Sequence, residues 1–557
     1  MRLAARRTTA IVAVAALVAG AAVFLLRDES APDFDPGGTP TISKMGDRVG
    51  AQAMEMIFNG NYPERLGEIL LVPTPHHYLG PDTNLKAWGT NRPNLFTSHP
   101  NPWRYLARVP LMVRGEPWAG AGTTNDAAVD LTALGPTYAR LLGVDFDAEG
   151  RPLPGLRYDA GSPRLIFTIV IDGGGWNVLN RYPEAWPNIA RLMDEGLTYR
   201  NALIGSFPAQ TGAIHANIGT GEYPRTHGIP YNFYFLSADP QYLEEPTIGD
   251  VWDQATGNSA VVGTISVLSN HLAMLGHGAA LEGGDRDIGV IWDVENHTWT
   301  TNESIYELPD YIADIDGTRL EGYEAANDAR DGREDGLWFG NTPEELLDGY
   351  RRSSNPAFER YQGDDILSVI RNESFGLDDV ADLFYVQFKA PDEAGHIWNM
   401  VNPEVEDVLK EADNQIGRIV AALDERVGRD DYMLVLTADH GQQPVATPER
   451  GWMINSTEVE RDVEAAFDVE ATVRSHQLNI TSRVDDRTIG EIARFLGSYT
   501  VGDNIPEAIP GADRVAESLR DETVFAGAFP TSWLSRLTPR ALSRFGPSSY
   551  PEGKLLD

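Results

Sequence analysis

Cysteine is absent from all 557 residues. No disulfide can form and no thiolate can bind metal, so stability must come from the core and any metal site from oxygen and nitrogen ligands. Positive charge is scarce: 45 Lys and Arg stand against 82 Asp and Glu, a formal net charge of −37. A surface of that sign repels nucleic acid and anionic lipid, which argues against polyanion binding as the main function. Tandem repeats, low-complexity tracts and internal Gly/Ser/Pro-rich linkers are also lacking. One large domain is therefore expected over residues 60–557, although the length would suit roughly three or four average domains. Only residues 33–40 read as a flexible stalk, within a leading segment over 28–59.

Long apolar runs are missing, with one exception at the amino terminus. Arg2, Arg6 and Arg7 precede an unbroken run over residues 10–26, followed by Arg27-Asp28-Glu29. As a helix the run is about 25 Å long, close to the ~30 Å hydrocarbon layer of a bilayer. The arginines favour an inside amino terminus and an exported remainder. Residues 1–27 are read as an uncleaved membrane anchor, with a cleaved signal peptide as the alternative because Ala19-Gly20-Ala21 resembles a cleavage site.

What is present is a repeated event: three apolar runs of strand character each lead into an aspartate. Residues 165–171 end at Asp172, 383–388 lead to Asp392, and 432–436 lead to Asp439. Continuous apolar strands suit a sheet covered on both faces. Ligands of such sheets gather beyond the carboxyl ends of the strands. Three carboxylates at one rim repel unless a cation lies among them. Histidines follow at once, in Asp392-Glu393-Ala394-Gly395-His396 and in Asp439-His440-Gly441. Oxygen and imidazole ligands without sulfur point to divalent metal, zinc by preference. A single Asp after a strand would more simply cap the next helix; three, two of them beside His, favour metal.

A candidate nucleophile lies between the first two of these strands. Residues 206–221 read as a loop entering a short helix, with Thr211 at the entry. A hydroxyl there feels the positive helix end and free backbone N–H groups, which suits an alkoxide and an incoming phosphate. The bland alternative is an ordinary helix N-cap.

The string Thr211-Gly212-x-x-His215-Ala216-x-Ile218-x-Thr220-Gly221, then Pro224-x-x-His227-Gly228-Ile229 and Asn232, resembles the bacterial phosphomonoesterase branch of the alkaline phosphatase superfamily. The Asp-x-x-Gly-His form at 392–396 is closer to its nucleotide pyrophosphatase/phosphodiesterase branch. The resembling core runs over about residues 163–443. The resemblance implies two divalent metals, Thr211 as nucleophile and metal ligand, and a phosphothreonine intermediate. It also implies Asn232 as the side chain holding a phosphoryl oxygen. Asp172, Asp439 and His440 match one metal site, and Asp392 with His396 part of the other. His215 and His227 are assigned structural roles. Sulfatases are disfavoured because the Cys/Ser-x-Pro-x-Arg context is absent. A non-enzymatic surface protein that keeps the fold is the competing class.

The resemblance calls for one more His late in the chain, where only His476 lies. A better match stands upstream: Thr97-Ser98-His99, Trp103-Arg104-Tyr105, the strand-like residues 109–115, and residues 133–144 as a helix ending in glycine. This succession resembles the carboxyl-terminal part of the family fold. His99 is therefore preferred over His476, and the chain is read as circularly permuted, with residues 60–157 supplying the family's final segment. His76 and His77 are placed at the pocket mouth or in a plain loop.

One departure bears on substrate. Where the monoesterases carry a Lys and an Arg that grip a terminal phosphate, alignment through Ala273-Met274-Leu275 leaves Ser269 and His271. A diester carries one charge fewer than a monoester dianion, so the loss tilts preference towards diesters or pyrophosphates. His271 or Asn270 is expected to donate one hydrogen bond to the phosphoryl group, unless Arg286 fills the gap. The expected fold is α/β: a central, mostly parallel sheet between helical layers, with an amphipathic helix over 404–427 and a small lobe over 446–535 above the site.

Overall fold

A computed structural model describes residues 40–80, 97–313, 315, 317–341, 352–446, 451–506 and 512–550. The apolar run at 10–26 and most of the stalk lie outside these residues. Among the described residues no helix is long and apolar enough to cross a membrane.

The first half of the chain supplies strands β1 (Ile69–Pro73), β2 (Tyr78–Gly80), β3 (Leu111–Arg114), β4 (Thr123–Asp130), β5 (Leu165–Ile171), β6 (Leu197–Leu203), β7 (Val262–Ile265), β8 (Ile288–Asp293) and β9 (Thr298–Thr300). The second half supplies β10 (Asp382–Phe388), β11 (Tyr432–Thr437), β12 (Met453–Asn455), β13 (Ala471–Arg474), β14 (Gln477–Ile480) and β15 (Phe525–Pro530). Nine of them form the central sheet, in the order β4-β6-β3-β11-β5-β10-β7-β8-β9. Its middle is parallel, β5 pairing in register with both β10 and β11. β3 runs antiparallel to its neighbours β11 and β6.

The strand sequences explain the layering. Along β5 the side chains of Phe167, Ile169 and Ile171 enter one apolar cluster, while Ile166 and Val170 enter another on the opposite face. Successive strand side chains alternate in direction, so a strand apolar on both faces must be covered twice. Each fully buried Ile, Leu or Phe contributes about 1.5–3 kcal/mol. The crossover between β10 and β11 is made by helix Pro403–Leu423, whose Val405, Val408, Leu409, Ala412, Ile416, Ile419, Val420 and Leu423 are all buried. It ends four residues before the expected 427, passing into a single π-turn over Asp424–Gly428.

The lobe is larger than residues 446–535. Its four-stranded sheet has the order β13-β14-β1-β15, so a strand from far upstream lies at its centre. Helices Pro40–Val49 and Ala51–Asn59 carry buried side chains into the same core, including Ile42, Met45, Met54 and Ile57. From Pro40 onward, then, the leading segment is packed structure and not stalk: an apolar stripe on each short helix gives it a face to bury.

Candidate metal centre and nucleophile

The three aspartates meet at the carboxyl rim of β5, β10 and β11. Asp172 follows β5 directly, Asp392 lies in the first turn of helix Ala390–Trp398, and Asp439-His440 follow β11. The turns are pinned together: Gly173 N–H donates to Asp439 Oδ1 at 3.1 Å. Gly173 adopts φ 69°, and a Cβ there would sit 2.9 Å from Asp392 Cα. Only glycine lets these loops approach so closely.

Asp172 Oδ1, Asp439 Oδ2 and His440 Nε2 are buried and have no hydrogen-bond partner. Yet His440 Nε2 lies 3.4 Å from Asp172 Oδ1 and 3.3 Å from Asp439 Oδ2. Ligands about 2.0–2.1 Å from a tetrahedral zinc ion would stand roughly 3.3 Å apart. A second group holds His99, Asp392 and His396: Asp392 Oδ1 is 3.6 Å from His99 Nε2 and 3.3 Å from His396 Nε2. The rings of His99 and His440 stack with centroids 3.4 Å apart, so the two groups are adjacent.

The imidazoles are oriented by backbone carbonyls. His99 Nδ1 lies 3.0 Å from Ala209 O, His396 Nδ1 2.5 Å from Thr97 O, and His440 Nδ1 3.0 Å from Gly441 O. A carbonyl can only accept, so in each neutral ring Nδ1 carries the hydrogen and Nε2 presents its lone pair inward. In the neutral rings those lone pairs face carboxylate oxygens; at His396, burial lowers the pKa but the Asp392 carboxylate overrides it and raises it. Like meets like, and a cation reconciles them. The donor set fits two divalent ions.

Sequence reasoning missed Lys389. It is buried, and its Nζ donates to Asp172 Oδ2 at 2.9 Å and to Asp392 Oδ2 at 2.5 Å. Each contact is to the oxygen opposite the metal-facing one. Burial opposes the Lys389 charge, but the three aspartates outweigh it and hold its pKa above the ordinary lysine range. Burial likewise raises Asp172, and Lys389 with its imidazole neighbours overrides that to hold the carboxylate low. Asp439 has no direct contact with the ammonium; burial first, and then Asp172, push it well above the usual carboxylate range. Gln387 Nε2 also donates to Asp172 Oδ2, at 3.0 Å, and Gln442 Nε2 donates to Asp392 Oδ1.

Thr211 is the first residue of helix Thr211–Thr220, and Gln210 occupies the N-cap position. The N-cap reading of Thr211 therefore fails, and its buried hydroxyl is not used to cap the helix. The helix entry is tied to the metal centre through His99 on Ala209 O and through His215, whose Nδ1 donates to Thr211 O at 2.7 Å. His215 Nδ1 is also 3.9 Å from Asp439 Oδ2, so this residue belongs to the site as well as to the helix. Burial drives the His215 pKa down to about 3. Asn232 Oδ1 accepts from Gly212 N–H at 2.8 Å, which turns the amide NH2 into the remaining donor beside Thr211.

Other candidates fall elsewhere. His271 Nδ1 accepts from Leu268 N–H at 3.1 Å, so its Nε2 carries the hydrogen and donates to Asp172 Oδ2 at 3.3 Å. Its donor is thus engaged by the Asp172 carboxylate, where a hydrogen bond to a phosphoryl oxygen is the expectation. Asn270, with Oδ1 buried and unpartnered, lies nearer the helix entry: its Cβ is 3.7 Å from where a Cβ on Gly212 would be. Arg286 is exposed and reaches the Glu303 carbonyl, far from filling a cationic gap. His476 sits at the β13–β14 turn, buried against Phe207, in neither metal-type group. His227 is structural, its Nε2 2.9 Å from Asn217 Oδ1. His76 stacks on Tyr105, whose hydroxyl donates to Gln443; His77 is buried over Pro75 O.

The sequence matches the family described as type I phosphodiesterase / nucleotide pyrophosphatase over residues 166–517. It is 24% identical over 374 residues to the alkaline phosphatase PhoV of Synechococcus elongatus, spanning 58% of this chain and 67% of that protein. It is 22% identical over 295 residues to the venom phosphodiesterase CdcPDE of Crotalus durissus collilineatus, spanning 53% of this chain and 28% of that one. Against the crystal structure of alkaline phosphatase PafA the TM-score is 0.49 at 18% identity, covering 66% of this chain and 84% of the other.

Proposed function

The chain belongs to the type I phosphodiesterase / nucleotide pyrophosphatase family, within the alkaline phosphatase superfamily of metal-dependent phosphoester hydrolases, and on that premise we propose that Thr211 is the nucleophile of a two-metal phosphodiesterase. The observation that carries this reading is the convergence of the unpartnered Asp172 Oδ1, Asp439 Oδ2 and His440 Nε2 beside the helix entry at Thr211. Asp172, Asp439, His440 and Thr211 would hold one ion, and Asp392, His396 and His99 the other, zinc being the ion that best suits such ligands. The bound metals would lower hydroxyl and water pKa values and neutralise charge on the phosphoryl oxygens.

The protein's own groups do the rest. The amino end of helix Thr211–Thr220 places its positive dipole behind the nucleophile. Asn232 NH2, fixed by Gly212 N–H, holds a phosphoryl oxygen. Thr211 Oγ1 attacks phosphorus in line, the leaving alkoxide departs on the far side, and the phosphothreonine is then hydrolysed. Preference for diesters and pyrophosphates is supported by the lack of an uncommitted Lys or Arg at the site among the described residues: the nearby ammonium, Lys389, is held by two carboxylates. Phosphomonoester hydrolysis is the second reading, favoured by the likeness to PhoV. We further propose a circularly permuted chain, supported by His99 in the metal group and by a family match that begins only at residue 166. A membrane anchor over residues 1–27, with the catalytic domain on the outer side, completes the proposal.

Turnover of p-nitrophenyl phosphate and its bis ester, with bound metal assayed in parallel, tests it. Thr211→Ala should keep the fold and bound metal while losing at least about 10³-fold in turnover of both esters. Undiminished turnover in that variant would remove Thr211 from the mechanism. A strong preference of the wild type for the monoester would overturn the diesterase assignment. Loss of metal in His476→Ala but not His99→Ala would end the permuted reading.

A further inference from the structure

A second carboxylate group lies at the opposite rim of the sheet, where the strands begin. Asp287 immediately precedes β8, and Asp285 is two residues earlier in the same loop. Asp253 belongs to the last turn of helix Ile248–Thr256, whose Trp252 Nε1 donates to Ala381 O at the foot of β10. One oxygen from each of the three aspartates lies within 4.8 Å of the others. Asp253 and Asp287 are each only 5% exposed, whereas Asp285 opens to solvent.

The neighbouring aspartates show what satisfied carboxylates look like here. Asp250 accepts from Thr247, His277 and Gly278, and Asp382 accepts from Val261 N–H and Gly376 N–H. By contrast Asp253 Oδ1 and Asp287 Oδ2 are buried with no hydrogen-bond partner. Among the described residues neither they nor Asp285 pairs with a Lys or Arg, and adjacent Arg286 turns away to the Glu303 carbonyl. Two buried, unpaired carboxylates at such range are unfavourable unless they share a proton or a cation.

We propose that Asp253, Asp285 and Asp287 bind a structural divalent cation of the calcium class, remote from the catalytic centre. The ligands are all hard oxygens, which suits Ca2+ and not the mixed nitrogen–oxygen chemistry of the other rim. Oxygens on opposite sides of a calcium ion stand up to about 5 Å apart, matching the spread of the group. The exposed Asp285 gives the ion its way in, and the bound ion clamps the end of helix Ile248–Thr256 to the start of β8. Burial, and then the Asp253 carboxyl, raise the pKa of Asp287 well above normal; burial also raises that of Asp253 to about 7, the charges of Asp285 and Asp250 adding to it against a hydrogen bond with the Asp287 carboxyl.

The test uses the full chain with its catalytic centre loaded and excess metal removed, titrated with CaCl2. Wild type should bind one additional Ca2+ per chain, and saturating Ca2+ should raise Tm by roughly 2–4 °C. Asp253→Asn/Asp287→Asn should lose the additional ion while keeping its catalytic metal and turnover. If that pair fails to fold, Asp285→Asn, changed at an exposed position, should weaken Ca2+ binding at least about tenfold. No bound Ca2+ in wild type, or equal binding by the variants, overturns the site. So does a Tm that rises as pH falls below about 7 and ignores Ca2+, the signature of a shared proton.

Discussion

Lys389 is buried with its ammonium on one carboxylate from each metal group. The sequence hides it, because a lysine after an apolar strand reads as a solvated loop residue: ammoniums are rarely buried unless paired. Its pairing has a consequence for the metal-free protein. Removing the cation from a buried ionic cluster leaves uncompensated charge and costs about 3–5 kcal/mol. Lys389→Met should therefore lower Tm in chelator, and added divalent metal should restore more of it than it adds to wild type, since the metal replaces the missing charge. Melting curves with and without chelator check this. Equal Tm values in chelator would show that the ammonium does not compensate the aspartates. Lys389→Arg should fall between.

At the level of elements, helix Thr211–Thr220 is set against the 3-10 turn Ser269–Met274 that carries Asn270 and His271. Gly219 makes the approach possible: a Cβ there would lie 2.5 Å from Met274 O. Alanine is the better helix former, but here it would have to push backbone aside, at about 1–3 kcal/mol. Gly219→Ala should lower Tm and turnover together while retaining metal; a raised Tm would mean the turn yields freely. Elements of this kind differ in how plainly the sequence announces them. β5, β10 and β11 are legible because both faces are buried and the runs are predominantly apolar, and the crossover helix because its stripe keeps the 3.6-residue period. The aspartates and histidines proposed as ligands follow from their places after the strands, except His99, which only the family resemblance singles out. The partners that orient them do not: Gln387, Lys389 and Gln442 have no periodicity, and their roles exist only once distant strands are adjacent. The insertion of β1 into the lobe sheet is illegible for the same reason, since five apolar residues do not name their neighbours.

For the molecule as a whole, a net charge of −37 means that some carboxylates must fold close to others. Glu222 is one: its Oε1 accepts from Glu149 N–H at 3.1 Å while Oε2 is buried without a partner. Burial, and then the Glu149 carboxylate, push its pKa up to about 8. The folded protein thus keeps a proton that the unfolded chain releases near pH 4.5, so this stabilisation is present below about pH 4.5 and is lost as pH rises towards about 8. Glu222→Gln should leave Tm near pH 5 unchanged and raise it near pH 8, flattening the alkaline limb of Tm against pH; parallel curves for the two proteins would exclude the effect. A different consequence follows from the interleaving of distant chain segments. β3 lies between β6 and β11, and β1 between β14 and β15. A fragment trimmed to residues 166–517, the stretch that carries the family signature, would be split between β6 and β11, stripped of both β1 and β15 in the lobe sheet, and deprived of the His99 imidazole. Activity in this protein is not a portable module: the part that looks self-sufficient on paper is unfinished without what precedes it.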